Sequence, residues 1–249
     1  MRGIVGRVEK RFLKIRRGSD MVELDRDTPL VCLTGLGLDG DIHANRLSPR
    51  QILVTLQSEL DELLIAPGAL FENMVVSISD AQHFRPGTAI VTEGGVEIRL
   101  TMYCEPCKRI LPVVTGLNAM INRRGILGSI VNGGEIHVGD AFSVIPGRYQ
   151  PLPESPTQKF LDFVRSIPAG GVVRYLDVTI AMGVDASFVR AVPGYIKRNI
   201  SEHLPVHRIV NGQGRLLDFL PGQAKKLAFE GVGIDGAGAV DLQNFLWRG

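Results

Sequence analysis

Two cysteines in one short segment are the first residues of this sequence that could carry chemistry. Cys104 and Cys107 lie within CEPC, and the cations Lys108 and Arg109 follow at once. A thiolate is the reactive form of cysteine and a ligand for soft metals, and neighbouring cations favour it. A lone CxxC fits a redox pair, half of a zinc site or two ordinary buried thiols. Zinc is disfavoured, because no second CxxC supplies the remaining ligands.

A second candidate is HLPVHRIV, residues 203–210, where His207 and Arg208 stand beside Val206. A histidine next to a nucleophile can activate it, but an isopropyl side chain can neither attack nor coordinate. These residues alone leave three interpretations open: a broken enzyme, an ordinary core segment, or a site that works without a nucleophile.

The elements that must position these residues belong to a chain of globular composition. It has 249 residues, 45% hydrophobic and 22% charged, and a formal net charge of +2. That length suits two domains. No apolar run is long enough for a membrane span and no signal peptide is recognisable, so we expect a cytoplasmic protein without a membrane partner. Three cysteines are too few for a disulfide framework and agree with a reducing compartment. The net charge neither requires nor excludes nucleic acid.

Proline marks the boundary between two halves of different composition. Residues 148–157 are rich in proline, which cannot continue a helix or a central strand, so we predict a linker there. Residues 1–147 are predicted to be mostly β, with one helix over residues 50–64. The basic opening, residues 1–20, predicts one or two strands with either a solvated face or an anion-binding edge. Residues 158–249 are predicted to be helical.

Two of these predicted helices are joined by GVDAS, the arrangement of a helix-turn-helix. Asp185 is suited to cap the second helix, which carries Arg190, Lys197 and Arg198. Helix pairs with a turn of small residues are common, so this pattern alone makes DNA binding one of several interpretations.

A longer string of motifs narrows the choice. IPAGGVV, a tyrosine, RAV, an asparagine, PVHRIV and EGV follow one another over residues 158–233. In order and spacing they resemble the C-terminal domain of O6-alkylguanine-DNA alkyltransferases, whose pattern includes Pro-Cys-His-Arg-Val. The resemblance implies a winged-helix-like, helix-turn-helix domain that binds duplex DNA in the minor groove and extrudes a guanine. Extrusion is necessary because a base inside a duplex is unreachable.

The resemblance also implies roles for individual residues. Tyr175 matches the tyrosine that helps to rotate the nucleotide, and Arg190 matches the arginine that fills the gap left by the base. Asn199 matches the asparagine that holds the active-site turn. His207 matches the histidine that deprotonates the acceptor cysteine through a water, and Glu230 matches the carboxylate that orients this histidine. The implied DNA-binding residues are Tyr175, Arg190, Lys197, Arg198 and Asn199.

Three departures from the pattern matter. Val206 replaces the acceptor cysteine, so alkyl transfer is excluded and the domain resembles alkyltransferase-like proteins, which bind O6-alkylguanine without repairing it. Pro193 stands where the family usually has glycine and predicts a kink or a short break in the recognition helix. The stretch 218–230 is shorter than the family loop that covers the base, and Phe219 could replace the residue that stacks there. The implied lesion pocket consists of Val206, His207, Arg208, Phe219 and Glu230. Without a thiol, the His207–Glu230 pair could equally be a core element retained for folding.

The first half carries its own ordered motifs. GLDGDIHANRLSPRQILV, PGALFENMVVS, FRPGTAI, YCEPCKRI and RRGILGSIVNGGEIHVGDAF together resemble the MOSC domain, named for the C-terminus of molybdenum-cofactor sulfurases, over residues 1–145. The resemblance implies a β-barrel-like fold that binds the molybdenum cofactor. By the Pro-Cys position Cys107 is the residue implied to ligate molybdenum or to carry sulfur, and Cys104 is an addition of unknown purpose.

The resemblance and the chemistry of the side chains together suggest a cofactor site around Cys107. Cations and Gly-rich turns could hold the cofactor's phosphate, and polar residues could line the pocket beside it. The candidate cofactor-binding residues are Asp41, His43, Arg46, Arg50, Glu72, Asn73, Lys108 and Arg109. Asp41 and Asn73 could instead only close turns, and His43 could only bond a backbone carbonyl.

We therefore predict a MOSC-like domain (1–147), a linker (148–157) and an alkyltransferase-like DNA-binding domain (158–249). The predicted function is recognition of O6-alkylguanine in double-stranded DNA by base flipping without alkyl transfer, with nucleotide excision repair proteins as the expected partners. The first domain would add a reductase or sulfur-carrier activity. An alternative is a small-molecule molybdenum-dependent enzyme that reduces N-hydroxylated compounds through Cys107, with a degenerate second domain. A third is an interaction platform with two inactive sites. The sequence gives no oligomeric state.

Overall fold

The structure of the protein is a computed structural model that describes residues 4–201 and 203–249. The chain divides into two compact units, Met1–Leu152 and Pro153–Gly249. The division lies inside the proline-rich segment predicted as a linker, and the first helix of the second unit starts at Pro156. The first three residues of the basic opening lie outside the described residues.

The first unit is built mainly from strands. These are β1 (Ile4–Leu13), β2 (Val22–Glu23), β3 (Leu30–Leu33), β4 (Gly37–Leu38), β5 (Ile52–Leu56), β6 (Met74–Ile78), β7 (Ala89–Thr92), β8 (Glu97–Tyr103), β9 (Ile126–Asn132), β10 (Gly134–Ile136) and β11 (Ala141–Ile145). One α-helix, α1 (Gln57–Leu63), and 3-10 segments at Ala81–His83, Lys108–Val113 and Asn118–Met120 connect them.

Among the described residues, seven of these strands close into a barrel. The pairing order is β11-β7-β8-β9-β5-β6-β1, and β1 pairs again with β11. Only the β5–β6 pair is parallel within this ring. Apolar side chains that alternate along the strands fill the interior, including Val8, Ile98 and Phe142. The predicted β-barrel-like fold is confirmed.

The helix predicted over residues 50–64 is wrong in its first half, where Ile52–Leu56 forms strand β5. All five residues of β5 are buried. Val54 faces the barrel core and Leu53 packs on the other side with Cys104. A strand buried on both faces gives a continuous apolar run that sequence periodicity does not separate from a helix. The helix begins only at Gln57.

The second unit is mainly helical. Its elements are α2 (Pro156–Ser166), β12 (Val173–Arg174), α3 (Tyr175–Ala181), α4 (Val192–Arg198), β13 (Ile209–Val210), α5 (Gln223–Phe229) and α6 (Leu242–Phe245), with 3-10 segments at Ala186–Arg190 and Val206–Arg208. β12 and β13 pair in parallel. The predicted α-helical helix-turn-helix domain is thereby confirmed.

The helix-turn-helix consists of α3, the 3-10 segment Ala186–Arg190, and α4. The Asp185 side chain accepts a hydrogen bond from the backbone nitrogen of Ser187, which confirms the predicted cap. The single second helix predicted there is wrong, because the chain interrupts it at Ala191 and α4 starts at Val192. Pro193 lies in the first turn of α4, where its missing N–H has no intrahelical partner to lose. The predicted short break therefore lies just before this proline.

The part of the chain that the structure describes contains no helix that is both long and apolar enough to cross a bilayer.

Candidate functional site

In the first unit, the Cys107 thiol is held by an arginine that sequence reasoning missed. Nη1 of Arg124 donates to Cys107 Sγ at 3.2 Å and to the Glu105 carbonyl at 2.7 Å. Nη2 donates to the Leu70 carbonyl at 3.4 Å. Arg124 is only 6% exposed, and its Nε has no hydrogen-bond partner in the structure. One buried guanidinium thus joins two segments around a partly exposed sulfur.

The other two cysteines are sealed from solvent. Cys104 is 2% exposed and Cys32 is 3% exposed, and both are free thiols. Burial raises the pKa of Cys104, although the charge of Arg124 opposes that rise. Burial also raises the pKa of Cys32 to about 12. Cys107 is therefore the thiol in the described chain that is open to a reaction partner.

Three of the predicted cofactor residues do come together. The Asp41 carboxylate accepts hydrogen bonds from the Lys14 nitrogen at 2.8 Å and from the Asn73 side chain at 2.9 Å. Its other oxygen lies 2.8 Å from the ring Nδ1 of His43. Burial raises the pKa of Asp41, but the hydrogen bonds from His43 and Lys14 outweigh it and the pKa is lowered overall. Asn73 also accepts from the Leu53 nitrogen, so Asp41 and Asn73 together link the residue that follows β1 to strand β5.

A side chain that binds a cofactor must be accessible to it, and the side chain of Glu72 is not accessible. Its side chain is fully buried, and its two oxygens accept hydrogen bonds from the backbone nitrogens of Gly68 and Leu70 at 2.6 and 3.0 Å. Burial raises the pKa of Glu72 despite these bonds. The residue closes its own turn and so places the Leu70 carbonyl that Arg124 contacts.

The remaining predicted cations differ in exposure. Lys108 and Arg109 are exposed in the 3-10 segment that follows Cys107, and Arg46 is exposed. Arg50 is half-buried and close enough to Cys104 to influence its titration. Within the described residues, no group of three or more His, Cys, Asp or Glu side chains could hold a metal ion.

In the second unit, Val206 lies in the core. It is 3% exposed and belongs to a cluster that includes Phe160, Val178 and Leu217. Its nitrogen donates to the Leu204 carbonyl, which forms the tight turn into the 3-10 segment Val206–Arg208. The position of the family's acceptor thiol is thus an apolar, tightly packed surface.

A charged network lies directly beside Val206. His207 Nε2 is 2.7 Å from Glu230 Oε1, and Arg208 donates to both oxygens of Glu230 at 2.8 to 3.1 Å. The Gly170 nitrogen donates to Glu230 at 3.1 Å. Burial would raise the pKa of Glu230, but the hydrogen bonds from Arg208, His207 and Gly170 lower it to about 2. Glu230 is therefore ionised at neutral pH and its two neighbours are fixed.

Gln223 is the second residue that sequence reasoning missed. It is 3% exposed and uses its whole amide: it accepts from the Leu217 nitrogen at 2.7 Å and donates to the His207 and Ile209 carbonyls at 3.0 and 2.8 Å. It therefore joins the loop that carries Phe219 to the segment that carries Val206. A glutamine within a helical stretch gives no local sign of such contacts.

The predicted DNA-binding residues form a set on and around the helix-turn-helix. Arg190, Lys197 and Arg198 are exposed, and Tyr175 is half-buried at the start of α3, where burial raises its pKa. The side chain of Asn199 donates to the Tyr195 carbonyl at 2.8 Å and so closes the end of α4. That is a contact within its own helix, whereas the family resemblance implied a contact to the 206–208 turn.

Two pairs of cations and rings line the end of α4. The Lys197 ammonium lies 4.7 Å from the centroid of the Phe219 ring, and the Arg198 guanidinium lies 4.8 Å from that of Tyr195. Phe219 is also packed against the core cluster that contains Val206. The structure therefore brings Val206, His207, Arg208, Phe219 and Glu230 into one region.

Two family models match this chain. The MOSC domain model matches residues 40–143, and the model described as 6-O-methylguanine DNA methyltransferase, DNA binding domain, matches residues 155–232. A curated relative, the DNA base-flipping protein of Escherichia coli strain K12, is 36% identical over 99 residues, which are 38% of this chain and 76% of that protein. The chain belongs to the alkyltransferase-like family.

This alkyltransferase-like chain carries a MOSC domain in its first unit and lacks the acceptor cysteine in its second. The structure of the YuaD protein of Bacillus subtilis is similar to this chain with a TM-score of 0.51 and 20% sequence identity. The match covers 59% of this chain and 97% of YuaD, and it supports the fold of the MOSC domain. A second similar structure is that of S. pombe Atl1 in complex with damaged DNA containing O6-carboxymethylguanine. Atl1 is 28% identical in sequence, the match covers 39% of this chain and 99% of Atl1, and the TM-score is 0.35.

Proposed function

We propose that the alkyltransferase-like domain binds duplex DNA, extrudes an O6-alkylated guanine and holds it without removing the alkyl group. The observation that carries this proposal is Val206 beside an intact His207–Arg208–Glu230 network. The printed name of the Escherichia coli relative, a DNA base-flipping protein, supports extrusion of a base. An apolar wall can contact an alkyl group, and with no thiolate for His207 to generate, no bond to carbon can form.

Base extrusion needs a group that compensates for lost stacking. It costs a few kcal/mol, and a guanidinium that enters the stack can offset this by stacking and by bonding the orphaned base. Arg190 is exposed at the end of a 3-10 segment, next to α4, and has no ion pair among the described contacts. Lys197 and Arg198 on α4 are suited to neighbouring phosphates.

Binding of the full chain to matched duplexes with guanine or O6-methylguanine, measured by fluorescence anisotropy, tests this proposal. We expect the lesion duplex to bind about tenfold more tightly, the contribution of one stacked base. Arg190→Ala should remove most of this preference, whereas Arg85→Ala, an equal charge change at an exposed site of the MOSC domain, should preserve it. Intact mass spectrometry should find no added methyl group. Equal binding of both duplexes, or methylated protein, would contradict the proposal.

Since the domain cannot repair what it binds, its lesion must pass to other proteins. We propose nucleotide excision repair proteins as these partners, because their substrate is a distorted duplex and an extruded base with an inserted arginine is such a distortion. Reconstituted excision on the O6-methylguanine duplex should then be faster with wild-type protein than with Arg190→Ala.

The residues around Cys107 fit a molybdenum cofactor. A soft sulfur is the right ligand for the metal, the unpartnered Nε of buried Arg124 offers a donor, and exposed Arg46, Lys108 and Arg109 suit a phosphate. When bound, the cofactor supplies two-electron redox chemistry or accepts a sulfur atom. The polar groups of Asp41, Glu72 and Asn73 are used in hydrogen bonds within the protein, so these residues would shape this site by holding its backbone in place.

The Arg124–Cys107 contact also favours the alternative function, a small-molecule reductase that acts through Cys107. Molybdenum content and N-hydroxylated substrate turnover of wild type and Cys107→Ser distinguish the two roles. We expect wild type to co-purify with molybdenum, Cys107→Ser to lose most of it, and Cys32→Ser to retain it. If Arg190→Ala turns over the substrate as fast as wild type does, the MOSC domain is an enzyme whose activity does not depend on DNA binding by the other domain. Wild type without molybdenum would remove the cofactor from the proposal.

A further inference from the structure

The Phe219 ring is covered on a side that an extruded base would need. Phe219 packs against the buried cluster of the domain, and the Lys197 ammonium lies over its ring at 4.7 Å from the centroid. An aromatic ring has only two faces. The ammonium lies over one of these faces, so a base can stack on that face only after the ammonium has moved.

The loop that carries Phe219 is fixed at both ends. Leu217 and Leu220 are each 6% exposed in the same cluster as Val206. Gln223 accepts a hydrogen bond from the Leu217 nitrogen and donates one to the His207 carbonyl, which fastens the loop to the segment that carries Val206. The backbone therefore holds the ring in place, and the flexible, exposed Lys197 side chain is the part that can give way.

We propose that Lys197 gates the lesion pocket: its ammonium covers Phe219 in the free protein and in complexes with no extruded base, and a captured base must displace it. This inference rests on the proposed function of the domain. Capture of an alkylguanine therefore costs this cation–π contact, which the undamaged complex without an extruded base retains. Lys197 thus lowers the preference of the domain for the lesion duplex, in addition to any phosphate contact.

The test is the ratio of affinities for the lesion duplex and the undamaged duplex in wild type and Lys197→Met, which keeps the apolar stem. We expect Lys197→Met to bind both duplexes more weakly, because a cation is lost, and yet to raise the ratio about two- to five-fold, the equilibrium value of an exposed cation–π contact. In the Phe219→Leu background the same change should leave the ratio unaltered. The unfolding midpoint, followed by the fluorescence of Trp247, verifies that each variant is folded.

Arg198→Met is the matched control. Arg198 is the next residue on α4, and its guanidinium covers Tyr195, not Phe219. This variant should weaken both complexes equally and leave the ratio unchanged. If Lys197→Met also leaves the ratio unchanged, or lowers it, the gate is refuted while the proposed function stands. If wild type binds neither duplex, the proposed function fails and the gate with it.

Discussion

Each of the two units has one part of a reactive thiol site and lacks the other part. In the alkyltransferase-like domain, Glu230 fixes His207 and Arg208 beside a position that carries Val206, so the activating residues have no sulfur. In the MOSC domain, Cys107 has a sulfur and the cation of Arg124, but no histidine contacts it among the described residues. A thiol needs both accessibility and a charge that favours the thiolate. The comparison therefore leaves any sulfur chemistry to the MOSC domain.

The largest expected effect is the loss of thiol reactivity on Cys107→Ser. Brief treatment of native wild type with iodoacetamide should modify one of the three free cysteines, because Cys32 and Cys104 are 3% and 2% exposed. Cys107→Ser should then show no modification by mass spectrometry. Cys32→Ser is the control and should still take up one group. Fast labelling that persists in Cys107→Ser would mean that Cys32 or Cys104 is reachable, and would contradict the assignment of accessible thiol chemistry to Cys107.

Next in size is the loss of the carboxylate in the other unit. Glu230→Ala leaves Arg208 and His207 with little exposure and without their partner, which should lower the free energy of unfolding of this domain by about 3 kcal/mol. Trp247 is the single tryptophan of the chain and stacks on Phe163, so its fluorescence during denaturation reports on this domain alone. Exposed Glu154→Ala is the control and should change the midpoint little. A similarly small change for Glu230→Ala would show that the network is dispensable for folding.

The same carboxylate predicts how the stability of the domain depends on pH. Its pKa is about 2 when folded and 4.5 ordinarily, so its contribution is complete above about pH 4.5 and is lost as the pH falls towards 2. That loss amounts to about 3 kcal/mol at most. Wild type and Glu230→Gln should therefore differ most near neutral pH and converge in acid when unfolding is followed at several pH values. A difference that is constant with pH would contradict the ionised state of Glu230.

The smallest effect concerns the break before α4. Because Pro193 lies in the first turn, Pro193→Ala should remove no steric clash and should destabilise the domain by about 0.5 kcal/mol, through the more flexible unfolded chain. Proline in a helix interior would give the opposite sign and about 3 kcal/mol. The same Trp247 measurement decides the sign. Stabilisation by this variant would mean that the recognition helix is strained.

Sequence reasoning was successful where the signal is local. The capping Asp185, the break near Pro193 and the helical character of the second unit each follow from residues within a few positions of one another. It failed at β5, because a strand buried on both faces has the same apolar run as a helix. It also placed Arg190 inside a helix, although the chain interrupts that helix directly after it.

The candidate sites were predicted only in part, for a related reason. Arg124 reaches Cys107 across 17 positions, and Gln223 reaches His207 across 16. Neither residue differs locally from a surface arginine or a helical glutamine. Conversely, Glu72 and Asn73 are of residue types that are common in binding sites, but their side-chain polar atoms form hydrogen bonds within the fold.

The sequence by itself determined which chemistry is excluded. Val206 at the acceptor position rules out alkyl transfer, and the order of motifs identifies both domains, because residue identity and spacing are properties of the chain. Only the tertiary structure decided which side chains are free to act. Hydrogen bonds and burial between distant segments commit Asp41, Asn73 and Gln223 to the fold, leave Cys107 partly exposed beside Arg124, and put Lys197 over Phe219. Such contacts arise when the chain buries its core, and no local pattern records them.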